Sequence, residues 1–442
     1  MTAIKKIYST RCWIENKLQS ATISFSNGKI TAIEAFKAAD AENKADLIIM
    51  PGIIDAHVHI NEPGRTEWEG FDTATQAAAA GGITTLIDMP LNASPVTTTL
   101  TAFNQKLNAA KNKLNVNCGF YGGLIPGNTA HLEELINAGV LGIKCFLVHS
   151  GIDEFPNVSE KDLEEAMPIL AKHSIPLLAH CEIYKEEVQT DLSKYPGSYQ
   201  QYLLSRPRQW ENDAIALMIR LCRKHNCPVH IVHVSSSDAL VQIQKAKEEG
   251  LPITAETCSQ YIYFNSEDIP DNNCLYKCAP PIREKENNDQ LKKALASGIL
   301  DFITTDHSPA PASIKEIESG NLQKAWGGIA GVQFLLPASW TALKDMIPFE
   351  KFIPLITEQP AKFLKLDQSK GSIKVGFDAD LIIWNPDAKH VVSSEEILFR
   401  HKISPYIDED MFGLVEQTIV NGTVVYANKK IANTNAGKII LK

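Results

Sequence analysis

No run of about 20 apolar residues, the length a membrane-spanning helix needs, occurs in the 442-residue sequence. Basic charge is also in short supply: 43 Lys and Arg against 52 Asp and Glu leave a net charge of −9. A moderately acidic chain has no general attraction for nucleic acid or anionic lipid, so neither is expected as a partner. The opening residues, Met1 to Arg11, contain no apolar core followed by a cleavage site, so no secretory leader is expected. Nine cysteines lie between Cys12 and Cys278, an odd number with no Cys-x-x-Cys pair. That argues against a zinc ribbon or a disulfide framework and for free thiols in a reducing cytoplasm. Low-complexity tracts and short-period repeats are absent, and 44% hydrophobic with 21% charged residues is the balance of a globular chain.

What is present is length and alternation. A (β/α)₈ barrel typically takes about 250 residues, and single cores stop growing at around 250–300, so roughly 190 residues need another place. Eight short apolar or β-branched runs recur: Ile53–His57, Ile83–Met89, Val116–Tyr121, Gly142–Leu147, Ile175–His180, Val229–His233, Ile253–Thr257 and Phe302–Asp306. Helix-compatible stretches such as Glu69–Ala80, Glu160–Lys172 and Asp213–Lys224 separate them. Strands alternating with helices imply parallel pairing, and eight units argue for a closed barrel, with an open doubly wound sheet as the rival. The ends read differently. Asn27-Gly28 and Asn421-Gly422 are hairpin signals, and Gly371–Ile373, Asp380–Trp384, Thr418–Tyr426 and Gly437–Leu441 are strand-like. The expected fold is therefore α/β: a TIM-like (β/α)₈ barrel over residues 51–365, with a small composite β-sandwich built from 1–50 and 366–442.

In such a barrel, function sits at the C-terminal ends of the strands. The first run ends in His57-Val-His59, two imidazoles that point to one side of a strand. The fourth carries Lys144, either a strand-end lysine that reaches water or an amine converted by CO₂ into a bridging carbamate. The fifth ends at His180, the sixth holds His230 and His233, and the eighth ends at Asp306. His233 lies nearer the functional rim; His230 is expected to pack or to hydrogen-bond behind it. A carboxylate such as Asp306 can bind metal and also move protons. Five of the eight runs thus end in a metal-capable residue. Remaining histidines, including His131, His149, His173, His225, His390 and His401, read as ordinary surface residues.

His57, His59, Lys144, His180, His233 and Asp306 together resemble the ligand set of the binuclear-metal cyclic amidohydrolases: dihydroorotases, hydantoinases (dihydropyrimidinases) and allantoinases. The similarity runs from Met50 to Ile382. Glu62-Pro-Gly-Arg65, Trp68-Glu-Gly70, Met89-Pro-Leu-Asn92, Ser205-Arg-Pro-Arg-Gln-Trp-Glu211, Lys277-Cys-Ala-Pro-Pro-Ile-Arg283, Asp306-His-Ser-Pro309 and Ala325–Gly331 follow the allantoinase pattern in order. Asn61 and Ala310 stand where dihydroorotases usually have Arg and His. Residues Ile407–Met411 depart from the allantoinase pattern, at a place expected to lie far from the metals.

The resemblance implies a distorted barrel with a composite sandwich. It implies two divalent metals, zinc first, with cobalt, manganese or iron as alternatives, bridged by hydroxide and by a CO₂-derived carbamate on Lys144. His57 and His59 would hold one metal, His180 and His233 the other, and Asp306 would also be the catalytic proton carrier. The implied reaction is hydrolysis of a small cyclic amide, the hydantoin ring of allantoin first, with dihydroorotase or dihydropyrimidinase/hydantoinase action on a related cyclic amide as the alternative. Asn61, Asn92, Cys278, Ala279 and Ser308 are the candidate substrate contacts. A carboxylate substrate wants an arginine fork; a neutral hydantoin wants amide-complementary groups such as Asn61 and Asn92, and only Arg65 is near enough in sequence to supply the fork. The excursion Tyr184–Glu211, with Tyr195, Tyr199, Tyr202 and Trp210, is a lid or a subunit-packing surface. A homo-oligomer, dimer or tetramer, in the cytoplasm is expected. The opposing reading, a non-enzymatic scaffold, would need lost ligands, and all six positions are filled.

Overall fold

The computed structural model describes residues 4–185, 188, 190–432 and 434–442. Each of the eight expected runs forms a strand: β1 (Ile53–Val58), β2 (Ile83–Asp88), β3 (Asn117–Phe120), β4 (Ile143–Phe146), β5 (Leu177–His180), β6 (Val229–Ile231), β7 (Ile253–Cys258) and β8 (Phe302–Thr304). All pairings among them are parallel. Nearly every residue in them is buried, as expected for strands covered on both faces.

The barrel is distorted at two seams. β1, β2 and β3 pair in order, and β4 to β8 pair in order, but β3 itself does not ladder with β4. The chain swivels at Tyr121, whose amide donates to the Asp88 carbonyl, and the two-residue strand Gly122–Gly123 takes up the pairing with β4. The second seam lies between β8 and β1. It is closed by the Asp55 carboxylate, which accepts from the amide and hydroxyl of Thr305, and by the His59 amide, 2.8 Å from the His307 carbonyl. A parallel bridge between Val58 and His307 completes the ring, which an open doubly wound sheet would lack.

Local signals set the covering helices. Helix Glu160–His173 starts at a reciprocal cap, in which the Ser159 hydroxyl accepts from the Asp162 amide and the Asp162 carboxylate accepts from the Ser159 amide at 2.8 Å. It stops at Ser174 in the left-handed conformation.

Both ends of the chain build one nine-stranded sheet. Strand Ile48–Pro51 is its joint: it lies parallel to Lys5–Ile14 on one side and antiparallel to Leu381–Val391 on the other. Side chains alternate across it. Ile49, Leu381 and Ile383 join Ile7, Ile23 and Phe25 in a core of the sheet's own, enclosed by strands from both termini. Ile48, Met50, Ile382 and Trp384 face the other way, into the core shared with the barrel. The expected hairpins occur at Asn27-Gly28 (φ 51° and 78°) and Asn421-Gly422 (φ 49° and 75°), two central residues with positive φ as a type I′ turn requires. Buried Lys370 ties this sheet to the barrel: its ammonium meets Asp380 at 2.5 Å and Asp378 at 3.0 Å, and Asp380 also accepts from Asn117 of β3.

Two expected strands differ. Gly371–Ile373 is a bend rather than a strand, turned by Gly371 at φ 81°. Gly437–Leu441 leaves the terminal sheet. Cys118 of β3 donates to the Lys438 carbonyl and accepts from the Ile440 amide at 2.8 Å, so the tail fills the edge that the Tyr121 swivel leaves open. Residues 1–3, part of the N-terminal segment, and residues 186, 187 and 189, part of the Tyr184–Glu211 excursion, lie outside the described residues, as does residue 433. No helix among the described residues is long and apolar enough to cross a membrane.

All nine cysteines are free and buried, and burial raises the thiols of Cys145, Cys227 and Cys278 to about 12. The thiolate is the reactive form. A thiol-specific chromogenic disulfide should therefore titrate nine groups after denaturation and fewer than one per chain in minutes on the native protein.

Candidate metal centre

β1 delivers His57 and His59 to the C-terminal mouth of the barrel, and the turn after β8 brings Asp306 to meet them. Asp306 Oδ1 lies 3.2 Å from His57 Nε2 and 3.3 Å from His59 Nε2. The three ligand atoms fall within 4.8 Å of one another. Asp306 and His233 both have positive φ, 45° and 40°, a conformation uncommon for residues with a β-carbon and concentrated at functional sites.

The rest of the His57 ring is held from behind. Its Nδ1 lies 2.6 Å from Glu256 Oε1 on β7; Glu256 Oε2 is 3.1 Å from His230 Nε2, and His230 Nδ1 is 2.8 Å from the Thr254 hydroxyl. Burial disfavours the Glu256 carboxylate, but the flanking His57 and His230 imidazoles hold its pKa far below the ordinary range. His230 also stacks flat on Phe302, 5.1 Å between centres. It thus packs and hydrogen-bonds behind the rim, while His233 lines it.

A second arm is built the same way. His180, at the end of β5, stacks on Phe146 at 4.5 Å and meets His233 edge-on at 4.6 Å. Its Nε2 lies 2.7 Å from Glu182 Oε2. Arg206 clamps the same carboxylate through Nε at 3.0 Å and through Nη2. Burial opposes the Glu182 charge, yet Arg206 and His180 outweigh it and bring the carboxyl to about 2.

Between the arms stands Lys144. It is 1% exposed, which removes the reading of a strand-end lysine reaching water. Its Nζ has no hydrogen-bond partner and sits 4.9 Å from the Phe146 ring centre; burial lowers its pKa to about 8.

His57, His59, Lys144, His180, His233 and Asp306 all line one cavity of about 420 Å³. Of the candidate substrate contacts, Asn92, Ala279 and Ser308 line it too. Asn61 and Cys278 are not on that wall: the Asn61 amide is turned to the Pro309 carbonyl at 3.3 Å, and Cys278 is buried with its carbonyl taken by the Tyr202 hydroxyl at 2.7 Å. Arg65 does not line the cavity either; it donates to the Asn92 carbonyl and to Glu154 at 2.7 Å. His149, read as a surface residue, lines the cavity mouth beside Asp153. From the excursion, Leu192, Tyr202, Ser205 and Arg206 reach the cavity, which fits a roof over the site. Residues Ile407–Met411 do not line it, and lead into strand Asp410–Val420.

The donors fit a metal. His233 Nδ1 and Lys144 Nζ are buried polar atoms without partners, a costly state unless something outside the chain satisfies them. Burial lowers the pKa of His59 and His180, and lowers that of His233 well below the usual value, so these imidazoles are neutral, the form that ligates.

A distorted parallel barrel with imidazoles, a lysine and a carboxylate at its C-terminal mouth defines a metal-dependent hydrolase. Comparison with known proteins agrees. The model of the Amidohydrolase family matches residues 48–439, and the chain belongs to this family. Membership implies use of a divalent metal, in keeping with the His57–His59–Asp306 cluster. L-hydantoinase (dihydropyrimidinase) from Arthrobacter aurescens superposes with a TM-score of 0.92 at 29% identity, over 99% of each chain. Within the family, the chain groups with allantoinases. It is 39% identical to allantoinase from Arabidopsis thaliana over 98% of this chain and 90% of that one. It is 40% identical to allantoinase from Streptomyces avermitilis over 95% of both.

The Glu182–Arg206 pair is buried on its acid side, and breaking one partner of such a pair strands the other charge. Arg206→Met should lower unfolding free energy by about 3–5 kcal/mol, read from denaturant midpoints. The double variant Glu182→Gln/Arg206→Met should be more stable than Arg206→Met alone.

Proposed function

We propose that this protein hydrolyses the hydantoin ring of allantoin to allantoate, using two divalent cations. The observation that carries this reading over dihydroorotate is the state of the arginines: Arg65 is occupied by Glu154 outside the cavity, and Arg206 by Glu182 on its wall. No free arginine fork awaits a substrate carboxylate among the described residues of the cavity. Hydantoinase activity is the second reading, supported by the 0.92 superposition on an L-hydantoinase.

In this reading His57 and His59 would hold one cation, His180 and His233 the other, and Lys144, as its CO₂-derived carbamate, both. Imidazole and oxygen donors suit zinc first, then cobalt, manganese or iron. A bound divalent cation makes water acidic enough to supply hydroxide at neutral pH and polarises a carbonyl. The chain does the rest. The Asp306 carboxylate accepts the proton of the attacking hydroxide and returns it to the leaving ring nitrogen, so the ring C–N bond breaks as a C–O bond forms, leaving a carboxylate and a ureido NH2 group. Glu256 fixes the His57 tautomer, and Glu182 with Arg206 fixes His180. Asn92, Ala279 and Ser308 are assigned to the ring amide; Asn61 holds the Pro309 carbonyl, and the Cys278 carbonyl is held by Tyr202. The burial of Lys144 supplies the uncharged amine that CO₂ requires. The buried free thiols support a reducing compartment, the cytoplasm, and we assign a homo-oligomer; one similar allantoinase, from Aquarana catesbeiana, bears a mitochondrial label.

Purified protein supplied with metal and bicarbonate should turn over allantoin with a kcat/KM at least tenfold above those for dihydroorotate and dihydrouracil; a reversed order would overturn the substrate assignment. Lys144→Ala should lose at least about a thousandfold in activity and one or more equivalents of metal, with partial rescue by short carboxylic acids. Glu256→Gln should weaken metal affinity by about 10–100-fold, read by competition with a chelator.

A further inference from the structure

Lys277 stands on the cavity wall, and the chemistry above does not use it. Its side chain is buried, with the residue 9% exposed. Its Nζ donates to the Ala325 carbonyl and lies 5.3 Å from the centre of the Tyr202 ring. An ammonium carries three N–H donors. The Ala325 carbonyl takes one of them, and no second acceptor lies at hydrogen-bond distance among the described residues, so the others are open to an oxygen in the cavity.

The neighbouring cations are already committed. Arg206 is clamped on Glu182. Lys315, fully buried, gives its donors to the carbonyls of Lys277 (2.7 Å), Trp326 (3.1 Å) and Gly328 (2.5 Å). Lys315 thereby ties the backbone of Lys277 to the loop that follows β8. Lys277 is thus a fixed donor in a corner with two buried ammonium groups and no carboxylate among their hydrogen-bond partners. Its contacts are Tyr202, on the helix Tyr199–Leu204 of the excursion after β5, and Ala325, in the loop after β8, and neither belongs to the strand ends that carry the imidazoles. A substrate whose scissile amide lies at His57, His59 and Asp306 would present a substituent, rather than its reacting carbonyl, to this roof.

We infer that Lys277 is a specificity-determining residue that donates to the carbonyl oxygen of a ureido arm borne on the ring carbon next to the scissile carbonyl. The inference rests on the allantoin reading and deepens it. Metal-loaded wild type, Lys277→Met and Lys277→Arg are compared by kcat/KM for allantoin and by the inhibition constant of unsubstituted hydantoin, the ring without the arm. Lys277→Met should lose about 30-fold or more on allantoin, the scale of one charge-assisted hydrogen bond, mainly through KM, while hydantoin inhibition shifts less than about threefold. Lys277→Arg should recover part of the loss. A loss that is equal for allantoin turnover and hydantoin binding, or no loss on allantoin, would overturn the role of Lys277 while the wild type still hydrolyses allantoin. A wild type that ignores allantoin but turns over dihydroorotate, with the Met variant impaired on it, would overturn both the functional reading and the ureido assignment.

Discussion

Asp55 accepts hydrogen bonds from the Thr305 amide and hydroxyl and from the His57 amide. These few bonds stand where a full ladder between β8 and β1 is missing. They bring together the two places from which the metal cluster draws its donors, for His57 and His59 leave β1 and Asp306 leaves β8. A carboxylate buried this deeply is unfavourable without such partners, and burial raises its pKa to about 7. The barrel is therefore closed at its site by a polar contact rather than by regular pairing. The irregularity sets the left-handed turn at Asp306 directly beside the closure.

The same principle, a buried carboxylate behind an imidazole, organises both arms. Glu256 stands behind His57, and Glu182 stands behind His180. Each carboxylate is buried and each has a further partner, His230 for one and Arg206 for the other. A carboxylate behind an imidazole fixes which nitrogen carries the proton and makes the other a better donor. Lys144 has no such support: its Nζ has no hydrogen-bond partner, and burial weakens its preference for the charged state, bringing it to about 8.

Much of this was legible from the chain. Alternating apolar runs marked all eight barrel strands because buried parallel strands need nothing but continuous apolar sequence. Asn-Gly pairs marked two hairpins because few other residues tolerate positive φ twice. His57, His59, Lys144, His180, His233 and Asp306 stood out because polar groups at the ends of apolar runs are unusual. Glu256 and Glu182 are equally visible by that test, one within the apolar run Ile253–Thr257 and one two residues past His180, but nothing in the sequence pairs either with a histidine. Arg206 and Lys277 stand in two of the quoted motifs, but their meeting on one wall was beyond reach, as was the place of Lys315 behind it, since only the folding of two loops over the mouth brings them together. The tail Gly437–Leu441 reads as a strand in either place; that it pairs with β3 depends on the Tyr121 swivel, a tertiary event.

The joint strand Ile48–Pro51 has a consequence for how the molecule is made. Its neighbour on one side, Lys5–Ile14, is synthesised just before it, but its neighbour on the other, Leu381–Val391, leaves the ribosome more than 300 residues later. Closing so long a loop adds little to the equilibrium penalty, which grows only with the logarithm of length. In time the difference is large, because synthesis runs at about 5–20 residues per second. For tens of seconds one edge of Ile48–Pro51 waits unpaired while the whole barrel is extruded. A nascent chain of this fold thus presents an open β-edge to its surroundings until its last fifth appears, and that interval is when a chaperone would have most to protect.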